Sequence, residues 1–132
     1  MRVLVVDDAA VMREIVAIVL ERHGFEVAGE AASAAEALAQ YRALRPDVVT
    51  LDVALPGIDG GTAVHEILAV DQRARIVVCG SSDQRSLIDA ALAAGALGYI
   101  AKPVQPPAAA EALRRAFASP EDVQRATPNN GT

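Results

Sequence analysis

The chain has 132 residues, enough for one domain with a buried core and too few for two. About half of its residues are apolar, only 3% are aromatic and tryptophan is absent, so Val, Leu, Ile and Ala must form the core. The net charge of −5, without a basic stripe, argues against nucleic-acid binding by this chain. No apolar stretch is long enough to span a bilayer.

The single cysteine, Cys79, excludes an internal disulfide and is typical of a reducing compartment. It lies in an apolar run, where a cysteine is more often a small buried hydrophobe than a reactive thiol. The amino terminus enters an apolar run directly, without a signal-peptide pattern. These features predict a cytoplasmic domain that does not contact a membrane.

Short apolar runs alternate with segments of helical periodicity. The runs predict strands at residues 2–6, 26–30, 48–52, 75–79 and 98–101. The helical spacing predicts helices at about 10–23, 33–43, 62–69, from the turn at 80–83 to Gly95, and from Pro106 onward. In the first helix Met12, Ile15, Val16 and Val19 recur at helical spacing. Residues 1–118 are thus expected to form the domain, and the polar segment 119–132 a tail or linker.

Five alternating β-α units predict an α/β fold with a doubly wound parallel sheet. Right-handed crossovers then bring the carboxyl ends of all strands to one edge, where ligands bind in such sheets. Asp7-Asp8, Asp52, the Gly80-Ser81 turn and Lys102 all follow strands and are expected to meet there. One charged residue after one strand is commonly just the first residue of a loop. Three runs with charge at the same end favour a shared site.

Three carboxylates at such a site repel each other, and a divalent cation removes the conflict. Ligands that are all oxygen suit Mg²⁺, with Mn²⁺ as the alternative. A lysine beside the metal suits a phosphoryl group, and Asp52 is predicted to be the nucleophile that forms an aspartyl phosphate. Asp8 is the expected direct ligand, Asp7 either a ligand or an acceptor for metal-bound water. Asp52 and the main-chain carbonyl of Ala54 would complete the coordination.

These motifs, in this order, resemble the receiver domains of two-component response regulators, especially the small chemotaxis type. The resemblance covers about residues 2–118. It rests on Val5-Val6-Asp7-Asp8, Leu51-Asp52 followed by Leu55-Pro56-Gly57-Ile58-Asp59-Gly60, Ala94-Gly95-Ala96, and Lys102-Pro103. It implies a flavodoxin-like fold with strand order 2-1-3-4-5 and five helices.

The resemblance also implies a function. Asp52 would accept phosphate from a sensor histidine kinase or phosphotransfer protein, with Mg²⁺ at Asp7 and Asp8. Lys102 would contact the phosphoryl group, and the Lys102–Pro103 bond is a candidate for cis. The face formed by helix 4, strand 5 and helix 5 would then bind a downstream effector or an output domain, or form a phosphorylation-dependent dimer.

One position departs from the family pattern. Counting back from Lys102 places Gly80 where the family has a Ser or Thr whose hydroxyl turns toward the phosphate. Either only the main-chain N–H of Ser81 contacts the phosphate, or glycine's freedom lets the Ser81 hydroxyl reach it. Tyr99 matches the aromatic residue that reorients with this hydroxyl, so its coupling depends on the same question.

The residues are therefore compatible with three functions. The first is a phosphorylation-controlled switch that catalyses only its own phosphorylation and dephosphorylation. The second, motivated by Gly80, is a docking or dimerisation module that works without phosphate. The third is a hydrolase with a phospho-aspartate, but enzymes of the haloacid dehalogenase type carry a second aspartate where this chain has Ala54. The domain would be either a stand-alone receiver or the amino-terminal part of a longer regulator.

Overall fold

A five-stranded parallel sheet forms the centre of the molecule in a computed structural model that describes residues 1–118. Its strands are β1 (Arg2–Val6), β2 (Glu26–Ala31), β3 (Val48–Asp52), β4 (Ile76–Gly80) and β5 (Gly98–Ala101). They lie in the order β2-β1-β3-β4-β5, and every neighbouring pair is parallel. The predicted strand order 2-1-3-4-5 is thereby confirmed.

Five helices cover the sheet, as the sequence predicted. They are α1 (Ala10–Arg22), α2 (Ala34–Leu44), α3 (Gly60–Val70), α4 (Arg85–Ala94) and α5 (Pro106–Phe117). A short 3-10 turn, Ser82–Gln84, immediately precedes α4. The helices pack on both faces, so the central strand β3 is buried along its whole length.

The core has two apolar layers because successive strand side chains point to opposite faces of the sheet. One layer packs against α2, α3 and α4 and includes Leu4, Val49, Leu51, Ile67 and Ile88. The other packs against α1 and α5 and includes Val3, Val5, Val77, Cys79 and Leu113. Each fully buried Val, Leu or Ile contributes about 1.5–3 kcal/mol. This burial fixes the strand ends on which the charged residues stand.

Two glycines end helices where the sequence indicated. Gly24 follows α1 with φ +86° and Gly95 follows α4 with φ +126°, both in the left-handed region that favours glycine. At Gly95 a side chain is also disfavoured by close packing, since a Cβ there would stand 2.6 Å from Leu68 Cδ1.

The structure differs from the sequence expectations in two local features. Ala54–Leu55 and Ile58–Asp59 pair as a small antiparallel hairpin, where only a turn was expected. In α1 the residues at helical spacing are not all buried: Ile15 is 42% exposed, and Val16 and Leu20 are the buried residues. Because α1 is apolar on most of its circumference, periodicity alone did not identify the face that packs on the sheet.

No helix within residues 1–118 combines the length and apolarity needed to cross a membrane. The predicted tail at 119–132 lies outside the described residues.

Candidate functional site

Three aspartates converge at the carboxyl edge of the sheet. Asp7 directly follows β1, Asp8 comes next, and Asp52 is the last residue of the adjacent strand β3. One carboxylate oxygen from each lies within 4.8 Å of the others. Asp7 and Asp52 are buried and Asp8 is exposed. The predicted meeting of these residues is what the structure shows, and solvent reaches the cluster from the Asp8 side.

Three hydrogen bonds hold Asp7, two at its backbone and one at its carboxylate. Its N–H donates to the Ala31 carbonyl at 3.1 Å, and its Oδ1 accepts the Ala9 N–H at 2.9 Å. Arg13 donates from Nη1 to the Asp7 carbonyl at 2.8 Å, while its Nε contacts Glu30 at 2.9 Å. Arg13 was not predicted from the sequence.

Asp52 is fixed at the tip of β3. Its Oδ1 accepts the N–H of Ala54 at 3.1 Å, which orients the carboxylate toward the edge of the sheet. Ala54 itself is exposed at the start of the small hairpin, two residues beyond the carboxylate.

Lys102 is the only lysine of the chain and joins the two buried carboxylates. Its Nζ lies 3.4 Å from Asp7 Oδ2 and 3.4 Å from Asp52 Oδ1. Its main-chain N–H donates to the Gly80 carbonyl at 2.9 Å, and the Lys102–Pro103 peptide is cis, as anticipated. Burial alone would lower the Lys102 pKa, but the charges of Asp52 and Asp7 outweigh it and hold the pKa above its ordinary value. The side chain is therefore an ammonium at physiological pH.

Cys79 lies on β4 as the register partner of Asp52. It is buried in the layer against α1 and α5, as expected for a small hydrophobe. Burial raises the pKa of its thiol to about 12, despite the opposing charge of Lys102. At neutral pH the group is therefore a protonated thiol and a poor nucleophile.

Gly80 ends β4 without room for a side chain. A Cβ would stand 2.9 Å from Val53 Cγ2 and 3.0 Å from Ile88 Cγ1. The volume that a Ser or Thr side chain would need is thus taken up by Val53 and Ile88.

Ser81 faces the following turn. Its hydroxyl donates to Asp83 Oδ1 and contacts Gln84 Oε1 at 3.2 Å, and its main-chain N–H donates to Gln84 Oε1 at 3.0 Å. Within residues 1–118 no hydrogen bond links Ser81 to Asp52 or Lys102. The structure therefore does not bring the Ser81 hydroxyl into the carboxylate cluster.

Tyr99 lies on β5, away from the carboxylates and 40% exposed. The guanidinium carbon of Arg85 stands 5.5 Å from the centre of its ring. Tyr99 therefore contacts the first residue of α4 rather than the acidic cluster.

The donor set fits a hard divalent cation. Three carboxylates within 4.8 Å supply only oxygen, and neither His nor Cys is among them. Such a set suits Mg²⁺ or Mn²⁺ and not Zn²⁺. The cluster is thus compatible with the predicted cofactor, Mg²⁺.

Comparisons of the sequence identify close relatives. The family model described as "Response regulator receiver domain" matches residues 3–114. The chain is 43% identical to the chemotaxis protein CheY of Thermotoga maritima over 114 residues, which is 86% of this chain and 95% of that protein. It is 42% identical to CheY of Bacillus subtilis over the same shares of both chains.

Solved structures have the same fold. A response regulator from Chloroflexus aurantiacus superposes with a TM-score of 0.81 at 33% identity, covering 88% of this chain and 96% of that one. The CheX–CheY complex with BeF₃ and Mg²⁺ from Borrelia burgdorferi gives a TM-score of 0.82 at 27% identity, with 90% of each chain covered. With the family model, the relatives, the flavodoxin-like sheet and the acidic cluster in agreement, the chain belongs to the response regulator receiver domains of two-component signalling.

Proposed function

We propose that this receiver accepts a phosphoryl group on Asp52, in a Mg²⁺-dependent reaction, from the phosphohistidine of a sensor histidine kinase or phosphotransfer protein. The observation that carries the proposal is the position of the Lys102 ammonium. It lies 3.4 Å from both Asp7 and Asp52, beside three carboxylates that lie within 4.8 Å of one another. A cation at this point can pair with a phosphoryl oxygen as negative charge accumulates at Asp52.

In the proposed reaction an Asp52 oxygen attacks phosphorus and the N–P bond of the phosphohistidine breaks. The donor imidazole keeps the bonding electron pair, and the product is an acyl phosphate on Asp52. Asp7, Asp8, Asp52 and the Ala54 carbonyl would hold Mg²⁺, which when bound neutralises charge on the phosphoryl oxygens. Lys102 would exchange its contact with the Asp52 carboxylate for one with the phosphoryl group. Arg13 would keep its hydrogen bond to the Asp7 carbonyl during the transfer.

The proposed output is a change on the face formed by α4, β5 and α5. Phosphorylation replaces the single negative charge of the Asp52 carboxylate by about two on the phosphoryl group, and draws Lys102 and the turn after Gly80 toward the site. Leu97 and Tyr99 are exposed on this face, 47% and 40% respectively, and would be repacked for an effector protein, an output domain or a second copy of the chain. The shift is a change in population between two states. We propose that this signalling takes place in the cytoplasm, in keeping with the single buried thiol at Cys79.

We further propose that the chain acts on no separate substrate. Its chemistry would be limited to gaining and losing its own phosphoryl group, as a signalling acceptor rather than as a hydrolase.

The test is phosphorylation by acetyl phosphate with Mg²⁺, followed by intact mass spectrometry. Wild type should gain the mass of one phosphoryl group, and Asp52→Asn should gain none. Omitting Mg²⁺ should greatly slow the phosphorylation of wild type. Asp8→Asn should be phosphorylated much more slowly than wild type. Equal labelling of wild type and Asp52→Asn would refute the proposal.

A second candidate is a docking module that works without phosphate. It is favoured by the absence of a side chain at Gly80 and by the bonds that hold Ser81 to Asp83 and Gln84. Partner affinity measured with and without beryllofluoride separates the two functions. A phosphorylation-controlled switch changes its affinity, whereas a constitutive module does not.

A further inference from the structure

The side chain of Gln84 contacts both the main-chain N–H and the hydroxyl of Ser81. The carboxamide oxygen of Gln84 accepts the main-chain N–H of Ser81 at 3.0 Å and lies 3.2 Å from its hydroxyl. In return the Gln84 N–H donates to the Ser81 carbonyl at 2.9 Å. This reciprocal capping closes the 3-10 turn Ser82–Gln84 ahead of α4.

The engaged N–H belongs to the residue two positions beyond Cys79, the register partner of Asp52. The ladder between β3 and β4 ends with the Val53 N–H donating to the Cys79 carbonyl at 3.0 Å. One residue later, the Gly80 carbonyl accepts the Lys102 N–H at 2.9 Å. Ser81 follows the last residue of β4, the strand between the one that carries Asp52 and the one that leads to Lys102. Its N–H is therefore a main-chain donor at the same edge of the sheet as Asp52, and Gln84 engages it.

Gly80 has no side-chain hydroxyl that could take the place of the Ser81 N–H as a hydrogen-bond donor. The closeness of Val53 and Ile88 excludes a side-chain hydroxyl at position 80 in this packing. The hydroxyl of Ser81 is engaged by Asp83 and Gln84. The main-chain N–H of Ser81 can therefore donate to a phosphoryl group on Asp52 only if its bond to Gln84 is given up.

We propose that Gln84 is a positioning residue that competes with the phosphoryl group on Asp52 for the main-chain N–H of Ser81. The inference rests on the proposed phosphorylation of Asp52. When the phosphoryl group takes the N–H, Gln84 is released and the capped turn opens. Because α4 begins at the next residue, Arg85, the release loosens the amino-terminal end of that helix. Gln84 thus sets how strongly the acceptor site is coupled to α4.

The test uses beryllofluoride with Mg²⁺ as the phosphoryl mimic and follows binding by ¹H–¹⁵N NMR. Gln84→Met keeps the length of the side chain and removes its acceptor. Gln84→Glu keeps an acceptor oxygen at the same distance from the backbone. Gln72→Met is the matched control, since Gln72 is an exposed glutamine in the loop after α3.

Gln84→Met is expected to bind beryllofluoride about fivefold more tightly than wild type, a ratio on the scale of one net hydrogen bond. Gln84→Glu should bind no more tightly than wild type, and Gln72→Met should match wild type. Without beryllofluoride, the Ser81 amide should exchange with solvent faster in Gln84→Met alone. A residue that only stabilises the fold would not produce tighter binding together with this local exchange.

Two results would overturn the inference and can be told apart. If wild type binds beryllofluoride and Gln84→Met binds it with the same affinity, Gln84 does not compete and only this inference fails. If wild type neither binds beryllofluoride nor gains a phosphoryl group from acetyl phosphate, the proposed function fails and the inference fails with it.

Discussion

The ammonium of Lys102 lies 3.4 Å from Oδ1 of Asp52, although their strands are not neighbours in the sheet. The contact passes over the end of β4, the strand between β3 and β5. The same ammonium lies 3.4 Å from Oδ2 of Asp7, so it bridges the two buried carboxylates. The charge balance of the site therefore depends on a single side chain.

Replacing Lys102 should show whether its charge promotes phosphorylation of Asp52. Lys102→Met is expected to slow phosphorylation by acetyl phosphate about 100-fold, because a preorganised cation at developing charge contributes on this scale. The rate follows from intact mass against time at saturating Mg²⁺. Lys102→Arg, which keeps the charge, should retain more activity than Lys102→Met. Equal rates in wild type and Lys102→Met would contradict the role assigned to the ammonium.

The pH dependence of Lys102 is a separate prediction. Asp52 and Asp7 raise its pKa above the ordinary 10.5 in the folded state, so the stability it adds is fully present below pH 10.5. That contribution is lost as pH rises through the folded pKa. With lysine labelled with ¹⁵N at Nζ, the single lysine gives one signal, whose titration reports this pKa directly. Asp52→Asn should lower it, and an unchanged value would show that Asp52 does not act on Lys102.

Restoring the family's hydroxyl at position 80 should destabilise the protein. Gly80→Ser brings a Cβ within 2.9 Å of Val53 and 3.0 Å of Ile88, and overpacking of this kind costs about 1–3 kcal/mol. Ile88→Val in the same chain should recover part of the loss. Gly98→Ala is the control, since a Cβ there has no heavy atom within 4 Å. Urea unfolding measures all four chains, and a Gly80→Ser variant as stable as wild type would contradict the packing argument.

A hydrogen bond far from the site offers a stability test. The Tyr41 hydroxyl donates to Asp71 Oδ2 at 2.7 Å, and this bond is the main cause of the lowered pKa of Asp71. Tyr41→Phe should cost about 0.5–1.5 kcal/mol at neutral pH. Because a lowered carboxyl pKa stabilises only above its unfolded value of 3.8, the difference from wild type should narrow as pH falls through the folded pKa. Tyr99→Phe is the control, since Tyr99 is partly exposed, and an equal loss in both variants would rule out the Asp71 bond as the cause.

The sequence predicted the architecture and the main residues at the edge of the sheet. The strands alternate with helices, and right-handed crossovers bring the carboxyl ends of all strands to one edge. The meeting of Asp7, Asp8, Asp52 and Lys102 follows from that alternation, and it depends on the chain's connectivity and not on the details of packing. The strand order 2-1-3-4-5 was implied by the resemblance to receiver domains.

What the sequence left open depends on side-chain choices that periodicity does not encode. Ile15 and Val16 are equally apolar, and only the docking angle of α1 decides which is buried. Whether Ser81 turns toward Asp52 or toward Gln84 depends on competing hydrogen bonds of similar strength. Arg13 contacts a main-chain carbonyl, and such a contact has no signature in residue spacing.

The burial of Cys79 gives the protein a built-in reporter. It is the only thiol in the chain, and its raised pKa, about 12, disfavours the reactive thiolate. A thiol reagent can therefore modify it only after β4 separates from its surroundings. The modification rate would measure opening of the sheet beside the acceptor aspartate without an engineered label, and any ligand that tightens that edge should slow it.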